Sequence, residues 1–209
     1  MFEKILVFIS GAIIWFITKA GYVGLFFLAM ISTVNIPIPS EVIFPFAGFL
    51  VFYGKFNIFL VVAIGTLGCF LGSIISYKFA NVIISFREKS LFLKVLFPES
   101  RLLKVNSWFN KYGPFAVFFA MIMPVFRAFI SLPAGIAKMN FKKFMIFSFA
   151  GNLIWVSSLS VFGMFFGNNW KYVESYFSKF AWVIVAIIMI ALVFWSYKHI
   201  AIIIKKKNI

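Results

Sequence analysis

Two residues of opposite charge, Glu41 and Arg127, lie within long apolar segments that also contain prolines. Glu41 stands seven residues before Gly48 and Arg127 stands eight residues before Gly135, so the charges occupy adjacent positions of two similar segments. A charge at the centre of a bilayer costs roughly 2.5–3.5 kcal/mol, so such a group usually faces a cavity or a partner. An arginine fork can hold two phosphate oxygens, and nearby helix N-termini favour an anion. The pair therefore predicts an anion site; the alternatives are a structural ion pair or a glutamate that only starts a helix.

Other residue types extend the predicted site beyond the two charges. Asn152 and Trp155 bring an amide and an indole N–H into a neighbouring apolar span, where we expect them to support the site. The chain has one cysteine, one histidine and no aspartate, so conventional metal sites and catalytic triads lack parts. We therefore expect no metal, no cofactor and no enzymatic activity, and we expect Cys69 to be a small packing residue. The predicted substrate-binding residues are Pro37, Ser40, Glu41, Gly48, Pro124, Arg127 and Gly135.

The composition indicates that the solvent around these residues is lipid. Hydrophobic residues make up 64% of the chain and charged residues 12%, and the mean hydropathy is +1.06. A soluble fold of this size could not bury that much apolar surface. The net charge of +15 comes from basic residues between the apolar spans, a pattern that favours contact with lipid headgroups over binding of nucleic acid. The chain is predicted to be an all-α membrane protein.

Five apolar segments follow one another along the chain. Ile58–Tyr77, Phe144–Gly167 and Phe180–Ile204 are each long enough for a spanning helix. Val23–Tyr53 and Pro114–Met139 are interrupted by prolines, which predicts re-entrant hairpins whose tips line a cavity, with kinked spanning helices as the alternative. Residues 1–18 are predicted to form a short first helix that spans at a tilt or lies in the interface.

The two interrupted segments are predicted to be halves of an internal repeat. In each, nine residues separate an opening proline from an Ala-Gly pair, and a glycine follows in the next spanning helix, Gly65 in one and Gly151 in the other. We expect a single membrane domain, 1–209. Its predicted parts are a first repeat at 21–86 with its hairpin tip at 35–48, a basic amphipathic linker at 87–111, a second repeat at 112–167 with its tip at 124–135, and a C-terminal spanning helix with a basic tail at 168–209.

The distribution of basic residues predicts how the repeats lie in the membrane. The linker and the terminal Lys205–Lys207 are strongly basic and should be cytoplasmic, whereas the loop that holds Lys171 and Glu174 is nearly neutral and should lie outside. The first hairpin then enters from outside and the second from the cytoplasm. This arrangement is an inverted repeat, a pattern of transporters whose site lies near the midplane.

The residues around the two charges resemble the DedA family, also described as SNARE-associated or VTT-domain proteins. The likeness covers roughly residues 20–170 and lies in the order of the motifs as well as their content. The motifs are Pro37 to Leu50, the helix Gly65–Tyr77, Pro124 through Arg127 to the Pro133-Ala-Gly run, and Phe144 to Trp155 with Gly151.

The resemblance implies a fold with two oppositely oriented re-entrant hairpins. Bacterial members are implicated in returning undecaprenyl phosphate, the lipid carrier of cell-envelope synthesis, across the cytoplasmic membrane, and eukaryotic relatives are lipid scramblases. The family glutamate matches Glu41, and the second family arginine matches Arg127. The chain departs from the family at Met121 and Ser32, where many members have an arginine and an acidic residue. These departures bear on the identity of the substrate and on proton coupling.

We therefore expect a transporter that moves a lipid-linked phosphate across the cytoplasmic membrane, with membrane lipids as partners and protons as a candidate coupling ion. A small-ion or proton-coupled transporter and a non-transporting membrane scaffold are the alternatives. A lipid substrate requires a lateral opening to the bilayer, an ion path would be narrow and closed to lipid, and a scaffold would have a packed interior.

Overall fold

Helices form all the regular secondary structure in the part of the chain that is described. The computed structural model describes residues 2–36, 38–87, 99–124 and 126–167. Within these ranges the all-α prediction is confirmed. The helices are α1 (Phe2–Ile31), α2 (Ser40–Phe52), α3 (Ile58–Arg87), α4 (Glu99–Ile122), α5 (Phe126–Phe129), α6 (Ser131–Ile136) and α7 (Phe141–Phe165).

Three of these helices contain stretches long and apolar enough to cross a membrane. They are Ser10–Ile31 in α1, Ile58–Phe86 in α3 and Phe141–Phe165, which is α7. The last two overlap the predicted spans Ile58–Tyr77 and Phe144–Gly167, with bounds that differ by a few residues. The predicted span Phe180–Ile204 and residue Pro37 lie outside the described residues, as does most of the first half of the linker.

The first helix is longer than the sequence predicted. A short helix within residues 1–18 was expected, but α1 continues to Ile31 through a break at Gly21. The backbone of Gly21 has φ of 60°, which glycine adopts at little cost, so the chain bends there without ending the helix. The apolar segment that follows Gly21 therefore forms the end of α1.

A second helix has the same kind of break. In α4, Gly113 has φ of 50° and separates the linker helix from the apolar segment that follows it. Gly21 lies five residues before Phe26, and Gly113 lies five residues before Phe118. The two predicted repeats therefore share a glycine break at the same distance before their matched phenylalanines. The comparison of the two repeats in the sequence did not include this glycine.

The directions of the packed helices follow from their contacts. Along α1 and α3 the contacting residue numbers rise together, from Tyr22 with Asn57 to Asn35 with Ser76, so these helices run in the same direction. Along α3 and α7 they change in opposite senses. Gly65 lies against Val156 and Ser73 against Asn152, so α3 and α7 are antiparallel.

Each short helix packs on the spanning helix of the other half. Gly48 of α2 lies against the Ser160 carbonyl of α7, and Gly135 of α6 lies against the Tyr77 carbonyl of α3. A Cβ on either glycine would collide with the carbonyl oxygen it faces. A larger residue at either position would therefore force the two packed helices apart.

A pair of contacts bears on the register of the predicted repeat. A Cβ on Gly68 would lie 2.6 Å from the Phe26 carbonyl oxygen, and a Cβ on Gly151 would lie 3.0 Å from that of Phe118. With Phe26 matched to Phe118, as in the sequence comparison, these contacts favour a match of Gly151 with Gly68, whereas the sequence comparison paired Gly151 with Gly65. This match brings Cys69 and Asn152 to equivalent positions.

Candidate functional site

Arg127 lies in the interior, on the short helix α5. Only 2% of its surface is exposed. Pro124 has no N–H to continue α4, which ends at Ile122, and the chain restarts as α5 after this break. The break carries the arginine inward between α2, α3 and α7.

The Arg127 guanidinium donates hydrogen bonds to three neutral side chains. Its Nη1 donates to Ser40 Oγ at 3.2 Å, and its Nη2 donates to Cys69 Sγ at 3.1 Å and to Asn152 Oδ1 at 3.4 Å. Cys69 and Asn152 are the equivalent residues of α3 and α7. Ser40 and Arg127 are themselves equivalent, since each lies eight residues before its Ala-Gly glycine. The arginine thus sits where the two halves of the protein meet.

The Ser40 hydroxyl connects the two charges. It accepts hydrogen bonds from Arg127 and from Trp155 Nε1, the latter at 3.4 Å, and it donates to Glu41 Oε2 at 3.2 Å. One donor and two acceptor positions are all that a hydroxyl offers, so Ser40 is fully used. Among the described residues, Glu41 and Arg127 form no direct ion pair, and Ser40 links them instead. Glu41 is half-buried in the first turn of α2, where the helix dipole favours a carboxylate.

Two aromatic rings flank the guanidinium. The Cζ atom of Arg127 lies 5.3 Å from the ring centroid of Trp155 and 5.8 Å from that of Phe44. The negative faces of such rings attract a cation, with an energy of about 2 kcal/mol when the site is desolvated. Trp155 therefore both packs against the charge and holds Ser40.

Asn152 extends the network away from the arginine. Its Nδ2 donates to Ser73 Oγ and Ser148 Oγ, each at 3.4 Å, while its Oδ1 faces Arg127. Ser73 in turn donates to the Cys69 carbonyl at 2.9 Å. The amide is thus oriented by two serines and presents its oxygen to the charge.

Among the described residues, no carboxylate contacts the Arg127 guanidinium directly, and the nearest link to one is the Ser40 hydroxyl that joins it to Glu41. A guanidinium has five N–H donors, and three of them are used. The Nε atom is buried without a hydrogen-bond partner. A buried guanidinium with an unpartnered N–H donor has the chemistry to hold an anion, and anion binding stays a prediction for this site.

The predicted residues fall into two groups in the structure. Ser40, Arg127, Asn152 and Trp155 come together, and Glu41 joins them through Ser40. Gly48 and Gly135 instead lie at helix contacts, so the structure gives them a packing role, and contact with a substrate stays a prediction for both. Pro124 shapes the turn before α5, where its carbonyl accepts from Phe126 N at 2.7 Å. Pro37 lies outside the described residues.

Several side chains around Arg127 were missed in the sequence. Cys69 was expected only to fill space, yet it accepts a hydrogen bond from the arginine and donates to the Ala29 carbonyl at 3.5 Å. Phe44, Ser73 and Ser148 were not singled out. The signal that could have found Cys69 was its position one residue after Gly68, matching Asn152 after Gly151.

The two departures from the family pattern lie in neutral surroundings. Met121 is fully buried in an apolar cluster with Val117 and Phe144. Ser32 is 3% exposed and donates to the Ala29 carbonyl at 2.8 Å. Neither position therefore supplies a charge to the site in this chain.

The apolar spans, the broken helices and the buried arginine together define a helical membrane protein with a polar site in its interior. The family model of the VTT domain matches residues 38–165, which include helices α2 to α7 and the described residues named above as contacts of Arg127. The chain belongs to this family, which is the DedA family.

Curated relatives cover most of the chain. An undecaprenyl phosphate transporter A from Bacillus subtilis is 30% identical over 93% of this chain and 96% of its own length. A protein of the same name from Staphylococcus aureus is 28% identical over the same shares. A protein from Lactococcus lactis subsp. cremoris named alkaline phosphatase-like is 33% identical over 84% of this chain and 85% of its own length. No solved structure matches the chain.

Proposed function

We propose that this protein translocates a lipid-linked phosphate, undecaprenyl phosphate or a related phospholipid, across the cytoplasmic membrane. The observation that carries the proposal is the buried guanidinium of Arg127, which forms no direct ion pair among the described residues and whose Nε has no hydrogen-bond partner. A phosphate oxygen bound there would receive a charge-assisted hydrogen bond, and the anion would neutralise the cation. Glu41 would set the charge balance of the site through Ser40.

The depth of the arginine supports transport across a bilayer. Arg127 contacts α3 at Cys69 and α7 at Asn152, and each of these lies eleven residues after the first residue of its helix. At 1.5 Å per residue this is about 16 Å, close to half of the roughly 30 Å hydrocarbon core. The site would therefore lie near the midplane.

The contacts between helices support two re-entrant hairpins. The hydroxyl of Tyr22, near the start of the apolar part of α1, accepts from Asn57 N at 2.7 Å, and its ring stacks on Phe56 at 4.4 Å. The apolar part of α1 therefore begins, and the chain after α2 ends, at the same end of the helix bundle, next to the start of α3. At the opposite end the Tyr77 hydroxyl donates to the carbonyl of Met139, beyond α6. We infer that the hairpins enter from opposite faces and form an inverted repeat, as in transporters with a midplane site.

The names of the relatives bear on the substrate. Two relatives that align over nearly the whole chain are named undecaprenyl phosphate transporters, which agrees with an anion site at membrane depth. The phosphatase-like name receives no comparable support, since within the described ranges no three His, Cys, Asp or Glu side chains are grouped so that they could hold a metal.

The proposal is tested with purified protein in liposomes that carry undecaprenyl phosphate, undecaprenol or phosphatidylcholine. Leaflet exchange is scored by the fraction of each lipid that an external reagent or enzyme can reach over time. We expect protein-dependent exchange of the phosphate to exceed that of the alcohol, because only the phosphate brings a negative charge to the guanidinium. Equal exchange of both would contradict phosphate recognition, and a proton current without lipid exchange would favour the ion transporter instead.

A further inference from the structure

The short helix α5 has a buried face and an exposed face. On the buried face, Arg127 is 2% exposed and Ala128 is 9% exposed. On the other face, Phe126 is 60% exposed and Phe129 is 45% exposed. Since three residues make nearly one helical turn, the two phenylalanines lie on the same side of α5. Met123, in the turn before α5, is also exposed, and we call Met123, Phe126 and Phe129 the outer row.

Protein surrounds the guanidinium on its other sides. Its hydrogen-bond partners and its two aromatic neighbours lie on α2, α3 and α7, and all of them are buried. They are Ser40 and Phe44 on α2, Cys69 on α3, and Asn152 and Trp155 on α7. Within the described part of the chain, α5 is therefore the wall that separates the guanidinium from the outside at the outer row.

The outer row lies at the depth of the lipid chains. Arg127 contacts α3 and α7 about 16 Å from their first residues, which is near the midplane of the hydrocarbon core. Phe126 and Phe129 lie within two residues of Arg127 on the same helix, a displacement of about 3 Å along its axis. An exposed apolar surface at this depth faces hydrocarbon and not headgroups.

A phosphate bound to Arg127 would still be attached to its hydrocarbon chain, which needs a place of its own. Within the site the chain would have to displace the buried side chains of α2, α3 and α7. The outer row offers apolar surface only one helix away. A single lipid can therefore place its phosphate on the inner face of α5 and its chain on the outer face.

The side chains of the outer row suit a hydrocarbon chain. The rings of Phe126 and Phe129 offer broad apolar surfaces, and the flexible thioether of Met123 adapts to irregular shapes. Any membrane lipid can touch such a surface. A lipid whose phosphate is held by Arg127 differs from the others because its contact with the outer row depends on the arginine.

We propose that the outer row is the docking surface for the hydrocarbon chain of the lipid whose phosphate binds Arg127, so that the bound lipid straddles α5. The inference rests on the proposed function, in that Arg127 is taken to bind a lipid phosphate. Recognition is then divided between the guanidinium for the phosphate and the outer row for the chain. The lipid enters sideways from the bilayer, and its phosphate needs no aqueous route to the arginine.

The test places a photo-crosslinking residue at exposed positions of the full-length protein. The residue p-benzoyl-L-phenylalanine replaces Phe126 or Phe129 and, as matched controls, Leu71 or Ile154. The controls are exposed apolar residues two positions after Cys69 and Asn152, so they lie close to the same depth on other helices. Each variant is reconstituted in phosphatidylcholine vesicles with a trace of radiolabelled undecaprenyl phosphate or, separately, of undecaprenol. The measured quantity is the ratio of phosphate-lipid adduct to alcohol adduct after illumination.

We expect this ratio to be at least about tenfold at Phe126 and Phe129, the gain that one charge-assisted hydrogen bond to the phosphate provides, and close to unity at the two control positions. Adding Arg127→Gln should bring the ratio at Phe126 and Phe129 down to that of the controls. Adding Lys142→Gln, at an exposed lysine, should leave the ratio unchanged.

Three outcomes would each overturn the proposal. They are a ratio close to unity at Phe126 and Phe129, the same enrichment at all four positions, and adducts of the Phe126 and Phe129 variants with protein, from the same chain or a second copy, in place of lipid. A variant that does not elute as the wild type does is replaced by one with the crosslinker at Met123, the remaining member of the outer row.

Crosslinking reports binding and does not depend on lipid movement, so the two proposals can fail separately. Phosphate-dependent adducts at the outer row of a protein that exchanges no lipid phosphate would support the docking surface and contradict the proposed transport. Exchange of lipid phosphate without enrichment at the outer row would do the reverse.

Discussion

Replacing Arg127 by methionine should leave the fold as stable as the wild type or more stable, while it removes transport. Arg127 forms no direct ion pair among the described residues, and Glu41, which Ser40 links to it, is only half-buried and keeps its position in the first turn of α2, where the helix dipole favours a carboxylate. Ser40 keeps its bond from Trp155, and Cys69 keeps its bond to the Ala29 carbonyl. Only the Asn152 oxygen loses its donor.

The cation–π attraction to Trp155 and Phe44 is taken to be replaced by a sulfur–aromatic contact of the methionine, which leaves two opposing terms. Removing a charge from membrane depth recovers roughly 2.5–3.5 kcal/mol. Leaving the Asn152 oxygen unpaired costs about 1–3 kcal/mol. The net effect lies between a loss of about 0.5 kcal/mol and a gain of about 2.5 kcal/mol. At about 2–4 °C per kcal/mol for a chain of this size, the unfolding midpoint should change by between about −2 and +10 °C.

The assay is thermal unfolding of purified wild type and Arg127→Met in the same detergent, with exposed Lys142→Met as the control for loss of a positive charge. If Arg127 were half of a structural ion pair, its removal would cost about 3–5 kcal/mol and lower the midpoint by about 6–20 °C. A fall of that size for Arg127→Met, but not for Lys142→Met, would refute the description of Arg127 as a cation outside any direct ion pair.

Three further predictions concern the surroundings of the site. Ser40→Ala should slow lipid-phosphate exchange by at least about tenfold, since it removes a hydrogen bond to a charged group worth about 1.5–3 kcal/mol; wild-type exchange would mean that the bridge is dispensable. Gly48→Ala should lower the unfolding free energy by about 1–3 kcal/mol because its methyl group would meet the backbone of α7, whereas Gly11→Ala, in open space, should not; equal midpoints would show that α2 can shift. Cysteines at exposed Lys55 and Lys142 should be labelled from opposite sides of the membrane, and labelling from the same side would contradict the inverted hairpins.

The sequence was sufficient for the parts of the fold that depend on composition and on proline. Continuous apolar runs of about 20 residues placed α3 and α7, since a helix pairs all its backbone groups within one such segment. Proline broke the helix near Pro124, and the cost of a charge in lipid singled out Arg127. These inferences rest on local chemistry, which a single sequence contains.

The features that were missed depend on three-dimensional register. Gly21 breaks the helical geometry without ending α1, so the sequence did not show that residues 1–18 and the apolar segment up to Ile31 belong to one helix. Gly65 and Gly68 are about one helical turn apart in the same apolar segment. Either glycine could be the counterpart of Gly151, so the sequence offered no reason to prefer Gly68. That choice hid the equivalence of Cys69 with Asn152. The Ser40 bridge was missed because a hydroxyl's partners are set by neighbouring helices.

The central claim is that Arg127 binds the phosphate of the lipid that is moved. The most direct measurement is the initial rate of undecaprenyl phosphate exchange in proteoliposomes made with wild type, Arg127→Gln and, as a control, Lys142→Gln. We predict that Arg127→Gln, folded and inserted as the wild type is, loses at least about tenfold in rate, the equivalent of one charge-assisted hydrogen bond of about 1.5–3 kcal/mol, while Lys142→Gln does not. Exchange by Arg127→Gln at the wild-type rate would contradict the claim.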